Sequence, residues 1–264
     1  MELVYLLGAG ASYPVLPLAT GLGSDVGDTV KRIRASIEDY YVKPGMPFED
    51  TKRAWPDGPI GKALLSDLTN LADKAANHST VDTIARKLWI RNDVDSVREL
   101  RRLKAMISSY FLFRQSEVPS GRRYDSFFAM MLQRADGDLP GLPASVGIVT
   151  WNYDALILKS YREFCSAHEE FRADALDRNI VWLNGRADRI TPVQSGKNWE
   201  PYAQYGQLVF GNKRTAAEEV CTLYDRLQSV EPTKQLRSGI SFAWDKGNSF
   251  ESSAAVFEGA ETIV

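Results

Sequence analysis

Five successive apolar residues, Leu3-Val4-Tyr5-Leu6-Leu7, run straight into Gly8. An unbroken apolar run of this length predicts a strand buried on both faces, as central parallel strands are. Residues 13–22 are rich in Pro and Gly and predict a loop that covers something. From about residue 23 to 134 the period becomes helical. Ile60, Leu64, Leu68 and Leu71 share one face, as do Val81, Ile84, Ala85 and Leu88. Val94, Val97, Leu100, Leu103, Ile107 and Phe111 extend the pattern. Breaks at Pro44-Gly45, at residues 56–59 and at residues 119–121 divide this stretch into separate helices.

Residues 136–143, interrupted by Gly and Pro, predict a linker. Val146-Gly147-Ile148-Val149 predicts a second buried strand, residues 154–164 a helix, residues 179–183 a third strand and residues 207–210 a fourth. Helices are predicted over 215–227 and near 250–257, and Thr262-Ile263-Val264 reads as the first half of a further strand. Strands alternating with helices predict an α/β fold: a Rossmann-like open parallel sheet, without a zinc ribbon, in a single domain spanning residues 1–264. Residues 24–135 form its large, mostly helical insertion.

Composition narrows the classes. A chain of 264 residues with 44% hydrophobic and 25% charged residues has the make-up of a globular domain. Its net charge of -2 argues against a nucleic-acid-binding role, which usually brings a basic excess. The two cysteines, Cys165 and Cys221, cannot form a four-thiolate zinc site, so no metal is expected. Sparse cysteine fits a reducing cytoplasm, and the apolar run at 3–7 is too short for a signal peptide or a membrane span. A soluble cytoplasmic protein with no membrane partner is the expectation.

In parallel sheets ligands bind outside the carboxyl ends of the strands, where the chemically suggestive residues of this chain fall. Gly8-Ala9-Gly10-Ala11-Ser12 lets the backbone approach a pyrophosphate, because neither glycine presents a side chain. The third glycine of the usual dinucleotide fingerprint is missing, and a tight strand-to-helix turn is the plainer reading. Thr150-Trp151-Asn152-Tyr153-Asp154 ends the second strand in polar side chains. The Asn152 amide suits a ribose hydroxyl or a water, since it adds no charge beside an anionic ligand. Asp154 fits the N-cap of the following helix at least as well as a ligand role. Asn184-Gly185 closes the third strand, with a simple glycine turn as the alternative.

Together these segments resemble the sirtuin family, and most closely its bacterial branch associated with anti-phage defence. Gly8-Ala9-Gly10-Ala11-Ser12 followed by Pro17-Leu18 is similar to the family's opening Gly-Ala-Gly-x-Ser and cofactor loop. Thr150-Trp151-Asn152-Tyr153-Asp154 is similar to its Thr-x-Asn-x-Asp motif, whose Asn and Asp contact the cofactor or the attacking water. Ser79-Thr80-Val81-Asp82 resembles a Ser-x-x-Asp element of the defence branch, and Val209-Phe210-Gly211 resembles a strand ending in Phe-Gly. The resemblance implies NAD as substrate, with Asn152 and Asp154 catalytic. It places Gly8, Ala9, Gly10, Ala11, Ser12, Pro17, Leu18, Asp82, Thr150, Asn184 and Gly185 around the dinucleotide.

Two departures bear on the reaction. Sirtuin deacylases carry His-Gly where this chain has Asn184-Gly185, and an asparagine takes no proton at neutral pH. The two histidines, His78 and His168, read as helix-end and surface residues. The zinc ribbon is missing as well. Both departures weigh against protein deacylation and less against simple cleavage of NAD, where positioning and electrostatics can carry an oxocarbenium-like transition state. By resemblance the final strand stops short, leaving part of the adenosine pocket outside the chain. The implied activity is an NAD hydrolase acting in defence, as a homo-oligomer or under a partner sensor protein. Its rivals are a module that senses NAD without cleaving it and an ADP-ribosyltransferase. Arg98, Arg101, Arg102 and Lys104 read as a solvated helix face. Trp89, Phe111, Phe113, Phe127 and Phe128 read as core or an oligomer contact.

Overall fold

Four short strands share one parallel sheet in the order β3-β2-β1-β6: β1 (Leu3–Leu7), β2 (Val146–Thr150), β3 (Ile180–Trp182) and β6 (Thr262–Ile263). The structure is a computed structural model. It describes residues 2–41, 59–77, 80–134, 140–165, 176, 178–192, 213–231, 235–242, 244–245, 257–258 and 260–264. His78, Ser79, His168, the expected strand 207–210 with Val209-Phe210-Gly211, the first half of the 136–143 linker and all but the end of the 250–257 helix lie outside the described residues.

Register matters more than strand length here. Leu3 pairs with Val146 and Leu7 with Thr150, while Thr150 also pairs with Trp182. The carboxyl ends of three strands therefore stop at one level. On the other edge of β1, Leu3 pairs with Thr262. The chain thus leaves β1 toward β2 on one side and returns beside it as β6 on the other, which makes the tip of β1 a topological switch point. All five residues of β2 are buried, as its apolar composition requires. β1 departs from the expected two-sided burial: Val4 is fully buried, but Leu6, nearer the tip, is exposed.

The chain separates into two compact units. The first holds Met1–Leu16, Val118–Arg186 and Ser241–Val264. It contains the sheet, the short helix α1 (Ala9–Ser12), α6 (Arg122–Met131) and α7 (Leu156–Glu163). An aromatic seam joins α6 to its neighbours. Phe127 meets Tyr5 of β1 edge-on at 5.1 Å, and Phe128 packs on Tyr161 at 5.8 Å and on Phe164 at 6.1 Å. The Ser160 hydroxyl donates to Asp125 at 2.6 Å, and Ser120 to Glu163 at 2.6 Å, so α6 and α7 are also tied by polar bonds. At the foot of the sheet, Asn179 Nδ2 donates to the carbonyls of Pro143 and Val146.

The second unit holds Pro17–Glu117 and Ala187–Ile240. It comprises α2 (Leu22–Tyr41), α3 (Pro59–Asn77), α4 (Val81–Arg91), α5 (Val94–Glu117), α8 (Lys213–Gln228) and a small antiparallel pair, β4 (Thr191–Pro192) with β5 (Leu236–Arg237). The expected apolar faces are buried at Leu64, Leu68, Leu71, Val81, Ile84, Ala85, Leu103 and Ile107. Val94 and Val97 fit the same period and are exposed nonetheless. The basic cluster on α5 is not uniformly solvated. Arg101 donates to the carbonyls of Leu227 and Ser229, closing the end of α8, and Arg102 pairs with the buried Asp67, to which Tyr224 also donates. Arg98 remains on the surface, 3.3 Å from Asp95. Among the described residues no helix is long and apolar enough to cross a membrane.

Burial raises the Tyr110 and Tyr224 phenols well above the ordinary tyrosine value, with the carboxylates of Asp25 and Asp67 adding to the shift. Unfolded tyrosine ionises near about 10, so above that pH the unfolded chain binds fewer protons than the folded one and stability falls. Alkaline titration should unfold the protein together with a rise in tyrosinate absorbance. In Tyr110→Phe that transition should move to higher pH. Tyrosine ionisation complete before any loss of helix signal would contradict the assignment.

Candidate functional site

Thr150 sits at the last position of β2, buried, and its hydroxyl makes two bonds. It donates to the Leu7 carbonyl across the strand pair at 3.1 Å and accepts from the Asn152 backbone N–H at 3.2 Å. The β-branched residue therefore clamps the tips of β1 and β2 and sets the direction in which the chain leaves. Two residues on, Asn152 is turned back toward the first strand. Its Nδ2 donates to the Gly8 carbonyl at 2.9 Å and lies 3.3 Å from Ser12 Oγ and 3.4 Å from the Tyr124 hydroxyl. Its Oδ1 accepts no hydrogen bond among the described residues.

Ser12 is 1% exposed and gives its only proton to Asp154 Oδ2 at 2.9 Å. The 3.1 Å contact between Ser12 Oγ and the Tyr124 hydroxyl then has the phenol as donor. A directed chain results, from Tyr124 to Ser12 to Asp154. The other Asp154 oxygen accepts from the Leu156 backbone N–H at 3.1 Å, at the start of α7. Ala155 holds the N-cap position and Asp154 supplies the bond, so helix capping and membership of the cluster are both true of this carboxylate. Burial, with the Asp154 carboxylate nearby, raises the Tyr124 phenol far above its ordinary value. Tyr124 is a donor across the working pH range and never a base.

Gly8 allows a close approach. A Cβ there would lie 3.0 Å from Trp151 Nε1 and 3.1 Å from its Cζ2. Gly10 is different, since a Cβ at that position would meet nothing within 4 Å. Within the turn, the Ala11 N–H donates to the Gly8 carbonyl at 2.8 Å. Gly185 has a φ of 66°, the left-handed conformation that favours glycine. The preceding Asn184 donates to the Trp151 carbonyl at 3.2 Å, and its own carbonyl accepts from Ser241.

The structure thus gathers Gly8, Ala9, Gly10, Ala11, Ser12, Thr150, Asn152, Asp154, Asn184 and Gly185 at the strand tips of one unit. The remaining expected contacts, Pro17, Leu18 and Asp82, belong to the helical unit. There the Leu18 carbonyl accepts from Gly21 at the start of a short 3-10 turn. Asp82 lies in the first turn of α4, which Thr80 caps by accepting from the Thr83 N–H at 3.2 Å.

Two residues of the site escape the sequence reading. Tyr124 and Arg123 open α6, inside the stretch assigned to the helical insertion, and Arg123 donates to the Gly10 carbonyl. The available signal was the Pro119–Gly121 break, which starts a new helix with Arg122-Arg123-Tyr124 in its first turn. Neither cysteine joins the site. Cys221 is buried in the helical unit, where burial pushes its thiol up to about 12. Among the described residues no group of three or more His, Cys, Asp or Glu side chains is disposed to hold a metal. Compared with family models, curated proteins and solved structures, the chain matches none.

Ser12→Ala removes the hydroxyl that donates to the buried Asp154, and should destabilise the fold by about 1–3 kcal/mol. Gly10→Ala, whose new methyl enters open space, should change stability by under about 1 kcal/mol. Denaturant midpoints compare the two variants. A neutral Ser12→Ala would show that the cluster contributes little.

Proposed function

We propose that the chain binds NAD at the tips of β1, β2 and β3 and cleaves its nicotinamide–ribose bond, releasing nicotinamide and ADP-ribose. The observation that carries this reading is the condition of Asn152. Its nitrogen is held by Gly8, Ser12 and Tyr124, while its oxygen has no partner among the described residues. An amide fixed in this way offers an oriented acceptor to a water or a ribose hydroxyl, and costs no reorganisation during reaction.

In the reaction the bond from the anomeric carbon to the nicotinamide nitrogen breaks, and its electron pair leaves on the nitrogen. The water oxygen bonds to the same carbon and releases a proton to solvent. Asn152 is the catalytic residue, orienting that water or the ribose. Asp154 supplies negative charge that favours the oxocarbenium-like state, while Ser12, Tyr124 and Thr150 are positioning residues that keep both groups in place. The resemblance in the motifs adds a setting, that of a cytoplasmic defence effector assembled as an oligomer or governed by a partner.

One observation favours a second reading, a module that senses NAD without cleaving it. Ser12, Thr150 and Asp154 are each buried and hydrogen-bonded to neighbouring groups of the chain.

Product analysis after incubation with NAD tests the proposal. The wild-type chain should yield free nicotinamide and ADP-ribose, and Asn152→Ala should lower kcat by at least about 100-fold with a smaller change in KM. Undiminished cleavage by Asn152→Ala would remove the assignment. NAD bound but intact would favour the sensor, and a labelled macromolecule would make the protein a transferase.

A further inference from the structure

Two exposed side chains touch the Gly8–Gly10 turn, and the chemistry above uses neither. Trp151 lies between the buried Thr150 and Asn152 at the tip of β2, yet it is 45% exposed. Its indole lies against the turn, within 3.1 Å of where a Gly8 Cβ would stand. A large aromatic ring therefore lies against the turn and is left nearly half open at a strand tip. The core residues of this unit, Phe128, Tyr161 and Phe242, are fully buried by comparison.

Arg123 reaches the same turn from α6. Its guanidinium donates to the Gly10 carbonyl, is exposed, and forms no ion pair among the described residues. A neutral carbonyl is a weak partner for a group with five donors whose geometry matches a phosphate. The turn itself is open, since a Cβ on Gly10 would meet no atom within 4 Å.

We propose that Trp151 is the ring-stacking residue and Arg123 the phosphate-recognising residue of this site, which selects a ligand carrying both an aromatic ring and a phosphate anion. This rests on the reading of the strand tips as a nucleotide site, and not on cleavage. The ring of the base lies on the indole, and the phosphate takes the Arg123 donors that no group among the described residues uses. Every base has a face to stack, so Trp151 contributes affinity whichever ring it meets, while Arg123 separates nucleotides from nucleosides.

Calorimetric binding of NAD, adenosine and inorganic pyrophosphate tests the division of labour, with folding of each variant checked by circular dichroism. Trp151→Ala should weaken NAD and adenosine by about tenfold or more and leave pyrophosphate unchanged, with Trp151→Phe restoring most of the loss. Arg123→Ala should weaken NAD and pyrophosphate by a similar factor, about tenfold, and spare adenosine, with Arg123→Lys intermediate. NAD bound equally by wild type, Trp151→Ala and Arg123→Ala overturns the assignment, as does equal loss of all three ligands in either variant. If the wild type cleaves NAD and both variants keep its KM, this inference fails while the hydrolase reading stands. If the selective losses occur and no nicotinamide is released, hydrolysis fails while this inference stands. A wild-type chain that binds no NAD overturns both.

Discussion

Ser12 Oγ gives its single proton to Asp154 and receives one from Tyr124, joining segments that lie 142 and 112 residues away along the chain. All three side chains are buried. A buried polar group without a partner costs more than a made bond contributes, so the members of such a cluster hold one another in place. The orientation of Asn152 follows from it. With Gly8 accepting one amide hydrogen and the Ser12–Tyr124 pair facing the other, the Asn152 nitrogen is committed to the protein and the oxygen is not. Removing any link would free the amide to rotate, and the site would lose its fixed acceptor before it lost its fold.

Sheet geometry explains why such a cluster can exist at all. Parallel pairing in the observed register ends β1, β2 and β3 at a common level, and Thr150 locks the first two tips through the Leu7 carbonyl. The strands are short, so the residues just beyond them converge within hydrogen-bonding distance. The charges are arranged in layers: the Asp154 carboxylate is buried within the cluster, and the Arg123 cation is exposed at the Gly10 carbonyl. A negative inner group and a positive outer one suit a ligand with a phosphate at one end and a developing positive charge at the other.

What the sequence revealed was local. Gly8, Thr150, Asn152, Asp154 and Gly185 stand directly after apolar runs, and a strand end with polar or glycine residues is legible without any partner. Tyr124 and Arg123 could not be found this way, since their partners are Ser12 and Gly10, more than a hundred residues back, and helical periodicity describes their own segment adequately. The same limit explains Arg101 and Arg102, which look solvated by charge and spacing but are bound by groups on α8 and α3. It also explains Val94 and Val97: a period states which residues share a face, not whether anything covers that face. The strands β1, β2 and β3 are legible because parallel strands are written in consecutive residues, while the helical packing depends on contacts that no single segment encodes.

The claim on which the rest depends is that the strand tips form one nucleotide site. Hydrogen–deuterium exchange with and without saturating NAD measures it directly, independent of turnover. The account predicts slowed exchange confined to the Gly8–Ser12 turn, the segment after Thr150 and the first turn of α6. Unchanged exchange in all three segments at saturating NAD, or protection appearing only in the helical unit, would contradict it.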